Sequence, residues 1–152
     1  MTAPYLLSAS DAIKKIQANE LSSEQLIRSC IERIEEKESS THAWVSSNFS
    51  AAIERARYLD RSVNLGLLHG IPFGAKDLFD THDFPTTYGS PIYANNRPLT
   101  DAVHIALMRQ AGGVLLGKTV TTEFATFKGG PTTNPINPAH TPGGSSSGSA
   151  AA

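Results

Sequence analysis

The sequence contains a single cysteine, no long apolar run and almost no net charge. Cys30 cannot form an internal disulfide by itself, which indicates a reducing compartment and predicts a cytoplasmic protein. No apolar run approaches the roughly 20 residues of a membrane-spanning helix, and Met1–Leu7 lacks the basic start and apolar core of a signal peptide. The formal net charge of −1 gives no electrostatic reason to expect nucleic acid or an anionic membrane as a partner.

The charged residues are unevenly distributed along the chain. Hydrophobic residues make up 39% and charged residues 18% of the sequence, which is typical of globular rather than disordered proteins. Most Lys, Arg and Glu residues lie between residues 11 and 61, whereas no charged residue follows Lys128. We therefore predict a helical front, residues 1–62, followed by an α/β part, residues 63–152.

The helical front contains three predicted helices. Ser10 and Asp11 are typical of a helix start, and Ser22 and Gln25 have the spacing of a capping box at the start of a second helix. A third helix is predicted over residues 50–61 because its apolar residues recur at helical spacing. The predicted buried positions of this third helix are Ile53, Ala56 and Leu59.

The rest of the chain alternates between strand and helix patterns. Gly70–Ala75 is short and apolar and predicts a strand that leads to Lys76. A helix is predicted from Thr100–Asp101 up to a glycine pair, and Val114–Gly117 is predicted to be a buried strand. The predicted buried positions of this helix are Val103, Leu107 and Ala111. The alternation favours an α/β fold.

The segment Gly112–Thr119 matches the phosphate-binding pattern G-x-x-x-x-G-K-[ST]. That pattern binds a nucleotide only when a strand precedes it and a helix follows it, and here the predicted order is the reverse. We therefore interpret the segment as a glycine-capped helix end followed by a buried strand. The competing hypothesis, a nucleotide-binding protein, predicts that Lys118→Ala abolishes ATP binding.

The last part of the chain permits two interpretations. Gly143–Ser149 has the composition of a flexible linker. Because Ala150–Ala152 follows and alanine is the best helix former, a tight loop that begins a helix is the second interpretation. The five histidines are scattered and none has the spacing of metal ligands, so we expect no metal site.

Lys76 is the residue whose surroundings indicate chemistry. Leu68–Ala75 is almost entirely apolar and Leu78–Phe79 resumes the apolar pattern, so we expect this lysine to be at least partly buried. Burial disfavours the ammonium form and lowers the pKa of a lysine. A neutral amine can then act as a general base towards a serine hydroxyl.

Four blocks of the sequence, in order, resemble the amidase signature family. These blocks are Leu68–Asp77, Ala111–Thr119 with Glu123–Ala125, Asn134–Pro135, and Pro142–Ala152. The resemblance covers essentially the whole chain and is weakest over the N-terminal helices. It implies an α/β fold with a mixed β-sheet core flanked by helices, of which residues 1–152 form the N-terminal part of a single domain.

The resemblance implies a Ser-cisSer-Lys triad that hydrolyses a small-molecule amide without a cofactor. By position in the family's pattern, Lys76 is the lysine and Ser145 is the middle serine, which follows a cis peptide bond. Gly143 and Gly144 make that backbone sterically possible, and Ser146 supports the proton relay by hydrogen bonding. The neutral lysine accepts a proton through the middle serine, which activates a second serine to attack the amide carbonyl and form an acyl-enzyme.

The family's nucleophile and oxyanion hole lie in a later Gly-Gly-Ser block, and no second such block follows Ser145 before Ala152. We therefore expect these 152 residues to be a truncated fragment that is inactive by itself. The partners of its central strands are expected to come from later sequence.

Other functions stay open at this point. One alternative is the A subunit of a glutamyl-tRNA(Gln)-type amidotransferase, because its distinguishing contacts are expected outside these residues. Another is a non-catalytic scaffold or binding protein that keeps the fold without the nucleophile. Association into a homo-oligomer also stays open.

Overall fold

The computed structural model describes residues 2–63 and 66–152. Its elements are, in chain order, α1 (Ala9–Gln17), α2 (Ser23–Thr41), β1 (Trp44–Ser47), α3 (Phe49–Asp60), β2 (Pro72–Lys76), α4 (Val103–Gln110), β3 (Val114–Thr119) and α5 (Ser147–Ala151). Short 3-10 helices cover Pro4–Leu6, Pro91–Tyr93 and Glu123–Ala125. No helix within the described residues has both the length and the hydropathy that crossing a membrane requires.

The predicted division of the chain at residues 62–63 stays a prediction. It adjoins Asn64 and Leu65, which, like Met1, lie outside the described residues. Contacts between Cα atoms divide the chain differently, into two units that each combine separate stretches. The first unit consists of Met1–Glu35, Asn48–Phe73 and Ala106–Leu116, and the second of Glu36–Ser47, Gly74–Ile105 and Gly117–Ala152.

Serine side chains cap the first two helices. The Ser8 hydroxyl accepts a hydrogen bond from the Asp11 N–H at 3.1 Å and donates one to the Asp11 carboxylate at 2.7 Å. The prediction that Ser10 begins α1 is therefore wrong by two residues, because Ser8 has the extended backbone of a cap and Ser10 lies inside the helix. At α2, the N–H groups of Ser22 and Gln25 bond to each other's side chains at 2.9 and 3.0 Å, which confirms the capping box.

The first unit has an apolar core of its own. Ala12 of α1, Leu26 of α2 and Ile71 are buried together, and partly buried apolar side chains pack around them. The Asp60 carboxylate at the end of α3 accepts hydrogen bonds from the Ser23 N–H at 2.6 Å and the Glu24 N–H at 3.0 Å. Because these N–H groups lie in the first turn of α2, this carboxylate joins the end of α3 to the start of α2.

The two predicted helices that flank the middle of the chain are present, but part of their predicted buried faces is wrong. In α3, Ala56 and Leu59 are buried as predicted, whereas Ile53 is half-buried. In α4, Val103 and Leu107 are 76% and 58% exposed, and their neighbour Ile105 is only 2% exposed. The half-buried residues 108 and 109 lie three and four positions after Ile105, on the same face of the helix.

The three strands form one mixed sheet in the order β1-β3-β2. β1 runs antiparallel to β3, with Trp44 opposite Thr119. The Val114 N–H bonds to the Ile71 carbonyl, and further along both strands the Asp77 N–H bonds to the Thr119 carbonyl, so β2 and β3 are parallel. All six residues of β3 are buried, which confirms the predicted buried strand.

β1 was not predicted from the sequence. It contains only four residues, Trp44–Ser47, which alternate between half-buried and exposed, and two of the four are serines. Such a strand has a weak sequence signal because its pairing with β3, rather than its own composition, stabilises it. The Glu38 carboxylate also holds its start by accepting hydrogen bonds from the Ala43 N–H at 3.0 Å and the Trp44 N–H at 2.9 Å.

Candidate active site

The chain from the end of β3 to Thr122 holds two distant segments of the sequence beside each other. The Thr119 carbonyl accepts a hydrogen bond at 2.8 Å from the Asp77 N–H, which directly follows Lys76. Three residues later, the Thr122 N–H donates a hydrogen bond at 3.0 Å to the Ser145 carbonyl. The end of β2 and the Gly/Ser-rich loop are therefore both attached to one stretch of backbone.

This arrangement brings Lys76 and Ser145 into direct contact. The Lys76 Nζ lies 2.6 Å from the Ser145 Oγ, although the two residues are 69 positions apart in the chain. Both side chains are half-buried. Burial lowers the pKa of Lys76, which increases the fraction of neutral amine at a given pH. A neutral Lys76 can accept the hydroxyl proton of Ser145 within this contact.

The loop that delivers Ser145 depends on two glycines. The peptide bond between Gly144 and Ser145 is cis, which agrees with the backbone that the resemblance implies. Gly143 has a φ of +85°, a left-handed conformation that glycine adopts without a steric penalty. A Cβ at Gly144 would lie 2.8 Å from the Thr122 Cγ2, so this position also has little room for a side chain.

α5 follows the loop at once and packs tightly against neighbouring backbone. A Cβ at Gly148 would lie 2.2 Å from the Ala43 carbonyl oxygen and 2.3 Å from the Val120 nitrogen, so only glycine fits there. The Gly148 N–H bonds to the Val120 carbonyl at 2.9 Å, and the Ser149 Oγ lies 2.7 Å from the Thr119 Oγ1. The interpretation as a flexible linker is therefore wrong, and the tight loop that begins a helix is confirmed.

The structure adds Ser147 to the residues that shape the loop. Its side chain is buried, and its hydroxyl donates a hydrogen bond to the Gly143 carbonyl at 2.8 Å. Ser146 is exposed and its side chain makes no capping hydrogen bond to α5. Its supporting role in a proton relay stays a prediction. A run of three serines contains no signal that separates the roles of its members, because only the backbone path decides which side chain points inward.

Lys118, the lysine of the phosphate-binding pattern, is completely buried. Its Nζ lies 3.1 Å from the Asp77 Oδ1 and 2.6 Å from the Thr86 Oγ1, and it donates to the Phe79 carbonyl at 2.8 Å. The segment that contains it runs from the end of α4 into β3, as interpreted from the sequence. Its ammonium group is thus held inside the protein, which removes the basis of the nucleotide-binding hypothesis.

A small group of possible metal ligands lies away from these residues. The ligand atoms of His82, Asp83 and Asp101 lie within 4.8 Å of one another, a proximity that the spacing of 19 residues concealed. His82 and Asp83 are exposed, and both the His82 N–H and its Nδ1 lie 2.9 Å from the Asp101 Oδ1. Exposed acidic groups commonly lie together without an ion, so their proximity by itself does not indicate a metal site.

Comparison with known protein families shows the family of the chain. The family model described as Amidase matches residues 25–152. The chain belongs to the amidase family. Among its curated relatives, the A subunit of glutamyl-tRNA(Gln) amidotransferase from Mycobacterium tuberculosis is 39% identical over 163 aligned positions, covering 100% of this chain and 33% of that protein. The protein of the same name from Salinibacter ruber is 38% identical over 151 positions, covering 93% of this chain and 29% of that protein.

Solved structures of the amidase family share the fold. Native peptide amidase from Stenotrophomonas maltophilia has a TM-score of 0.88 and 32% identity, covering 99% of this chain and 34% of that one. Fatty acid amide hydrolase has a TM-score of 0.88 and 27% identity, covering 96% of this chain and 28% of that one. The predicted α/β amidase-signature fold is thereby confirmed. The chain spans about a third of the length of the curated relatives that it matches.

Proposed function

We propose that the gene product containing these residues is an amidase, which hydrolyses the C–N bond of a carboxylic amide through a Ser-cisSer-Lys triad. The observation that carries the proposal is the 2.6 Å contact between the Lys76 Nζ and the Ser145 Oγ in a chain of the amidase family. These 152 residues would contribute the lysine and the middle serine of the triad. The nucleophilic serine and the oxyanion hole would come from the rest of the gene product.

The proposed reaction begins with a proton transfer along this contact. The neutral amine of Lys76 accepts the hydroxyl proton of Ser145, and Ser145 in turn takes the proton of the nucleophilic serine. The nucleophile attacks the amide carbonyl, and the C–N bond breaks as the same relay returns a proton to the leaving amine. Water then gives a proton to the same relay as it attacks the acyl carbon, and the relay returns that proton to the nucleophilic serine as the C–O bond breaks and the carboxylic acid leaves.

Cys30 is a poor alternative nucleophile. Burial raises the pKa of its thiol to about 11, so the reactive thiolate is scarce at neutral pH. The proposal therefore assigns the chemistry to serine and lysine and includes no cofactor. It also places the enzyme in the cytoplasm with a small-molecule amide as substrate, and the single cysteine and the near-zero net charge support these two points.

The proposal is tested by substituting both residues in the complete gene product. Lys76→Ala and Ser145→Ala are each expected to lower kcat for amide hydrolysis by about 10²–10⁴-fold, the usual contribution of general acid–base catalysis. Both are expected to leave the unfolding temperature almost unchanged, because both side chains are only half-buried. Lys14→Ala is the matched control, since Lys14 is an exposed lysine of α1. Normal turnover by the Lys76→Ala enzyme would sink the assignment.

A second candidate function is that of an amidotransferase A subunit. The names of the relatives favour it, because proteins named as the A subunit of glutamyl-tRNA(Gln) amidotransferase are 38–40% identical to this chain. The amidases of known structure are 27–34% identical. The two functions are separated by measuring ammonia release from glutamine and from simple amides, with and without glutamyl-tRNA(Gln). Activity that requires the tRNA favours the amidotransferase, and activity on simple amides alone favours the amidase.

A further inference from the structure

Lys118 and Asp77 form an ion pair that is completely closed to solvent. Both side chains have an exposed fraction of 0%, and the Lys118 Nζ lies 3.1 Å from the Asp77 Oδ1. The remaining hydrogens of the ammonium group point to the Phe79 carbonyl at 2.8 Å and the Thr86 Oγ1 at 2.6 Å. Desolvation lowers the pKa of Lys118, and the neighbouring Asp77 carboxylate opposes that effect.

The carboxylate of Asp77 has hydrogen-bond partners besides Lys118. Both of its oxygens lie 3.2 Å from the Thr87 N–H, and one of them accepts a short hydrogen bond from the Thr87 hydroxyl. The pair therefore ties three elements together: the end of β2, residue 118 of β3, and the loop around residues 86 and 87. Each of these contacts lies within the second unit.

Such a pair is a costly way to add stability. Moving two charges out of water consumes most of what their attraction returns, and apolar residues of similar volume often stabilise a protein as well or better. The pair instead holds the backbone at residues 77 and 118 in a defined position, because each charged group bonds to several partners in fixed geometry. Lys118 lies inside an otherwise apolar and glycine-rich run. Its burial removes the basis for nucleotide binding, and the proposed reaction does not use it.

The ion pair lies next to the candidate active site along the chain. Asp77 directly follows Lys76, and its N–H bonds to the Thr119 carbonyl at 2.8 Å. Asp77 is the first residue of the turn that follows β2, so an anchor on its side chain also fixes the backbone at the point where the Lys76 side chain leaves it. The 2.6 Å contact between the Lys76 Nζ and the Ser145 Oγ requires the backbone at Lys76 to stay in this position.

We propose that Lys118 and Asp77 are positioning residues, whose buried pair holds the end of β2 so that Lys76 stays within hydrogen-bond reach of Ser145. The proposal rests on the proposed amidase function, in which that contact carries the proton. Neither residue touches the reacting atoms. Each acts through the backbone next to Lys76, and the pair thereby gives a role to the lysine of the phosphate-binding pattern.

The test compares single and double substitutions in the complete gene product. Lys118→Met and Asp77→Asn each leave a buried group without its partner, so both the unfolding temperature and kcat are expected to fall. The double variant removes both charges and is expected to regain most of the unfolding temperature. Its kcat is expected to stay about 100-fold below that of the wild type, the effect of a displacement of about 1 Å, with KM almost unchanged.

A purely structural role gives a different pattern in the same experiment. If the pair only stabilises the fold, kcat per folded molecule recovers in the double variant together with the unfolding temperature, and the proposal is overturned. A crystal structure of the double variant adds a readout that does not depend on activity. A Lys76–Ser145 contact that remains at hydrogen-bond distance overturns the proposal, and a lengthened one supports it.

A milder substitution covers the case in which the charge variants fail to fold. Thr87→Val removes the hydroxyl that bonds to Asp77 without leaving a buried charge unpaired. It is expected to lower kcat several-fold at a nearly unchanged unfolding temperature, and unchanged kcat contradicts the proposal. Thr81→Val is the matched control, because the Thr81 Oγ1 is buried without a hydrogen-bond partner in the described part of the chain. Its activity is expected to equal that of the wild type.

The outcome also separates this proposal from the proposed function. If the wild-type gene product hydrolyses no amide, then the proposed function fails. The positioning role is then decided by the crystal structures alone, through the distance between the Lys76 Nζ and the Ser145 Oγ in the wild type and in the double variant.

Discussion

The substitution Gly148→Ala is expected to destabilise the protein, although alanine is a better helix former than glycine. A Cβ at this position of α5 would lie 2.2 Å from the Ala43 carbonyl oxygen and 2.3 Å from the Val120 nitrogen. Ordinary contacts need about 3.5 Å, so α5 has to move by about 1 Å. Both obstacles are backbone atoms, and no rotation of a side chain can relieve them.

The size of the effect follows from two opposing contributions. Overpacking costs about 1–3 kcal/mol, whereas replacing glycine by alanine inside a helix gains at most about 1 kcal/mol. The movement also breaks the 2.9 Å hydrogen bond from the Gly148 N–H to the Val120 carbonyl. We therefore expect a net loss of about 1–2 kcal/mol in the free energy of unfolding. Because Ser145 lies three residues before Gly148, the same movement is expected to lower kcat about 100-fold.

Urea unfolding and steady-state amide hydrolysis of the complete gene product measure these two effects. Gly129→Ala is the matched control, because a Cβ at Gly129 has no heavy atom of the described residues within 4 Å. Its stability is expected to stay within about 0.5 kcal/mol of the wild type. If Gly148→Ala is as stable and as active as Gly129→Ala, the assignment of Gly148 as an obligatory close contact is refuted.

Two further predictions concern the base and a helix cap. The rate of amide hydrolysis is expected to rise about tenfold per pH unit below the pKa of Lys76 and to level off above it, because only the neutral amine accepts a proton. Since burial lowers that pKa, a pH–rate profile that still rises at the ordinary lysine pKa of about 10.4 contradicts the assignment. In thermal unfolding, Ser8→Ala is expected to cost about 1 kcal/mol by removing the cap of α1. Ser10→Ala is expected to have almost no effect, and equal losses from the two substitutions would argue against Ser8 as the cap.

The features that were correctly predicted from the sequence depend on short stretches of chain. The capping box of Ser22 and Gln25 needs only four residues, because both hydrogen bonds close within one helical turn. The buried strand predicted at Val114–Gly117, which the structure extends to Thr119, needs only its own run of apolar residues after a glycine pair. The strand that ends at Lys76 has the same kind of local signal.

The features that were predicted wrongly or not predicted at all depend on a partner elsewhere in the chain. The buried face of α4 contains Ile105 rather than Val103 and Leu107. Which face of a helix is buried depends on where the rest of the chain packs against it. β1 is stabilised by pairing with β3, which its own four residues do not indicate. Likewise, the proximity of His82 to Asp101 is created by the path of the loop between them.

By itself, the sequence determined the positions of the main helices, the buried strand after the glycine pair, the strand that ends at Lys76, and the family to which the chain belongs. These depend on side-chain periodicity and on residue types at short spacing, and both signals lie within short segments of the sequence. Only the tertiary structure decided that Lys76 and Ser145 meet at 2.6 Å, that Gly148 must be glycine, and that Lys118 is paired with Asp77. Each of these joins residues at least 28 positions apart, and such contacts exist only after the backbone has folded.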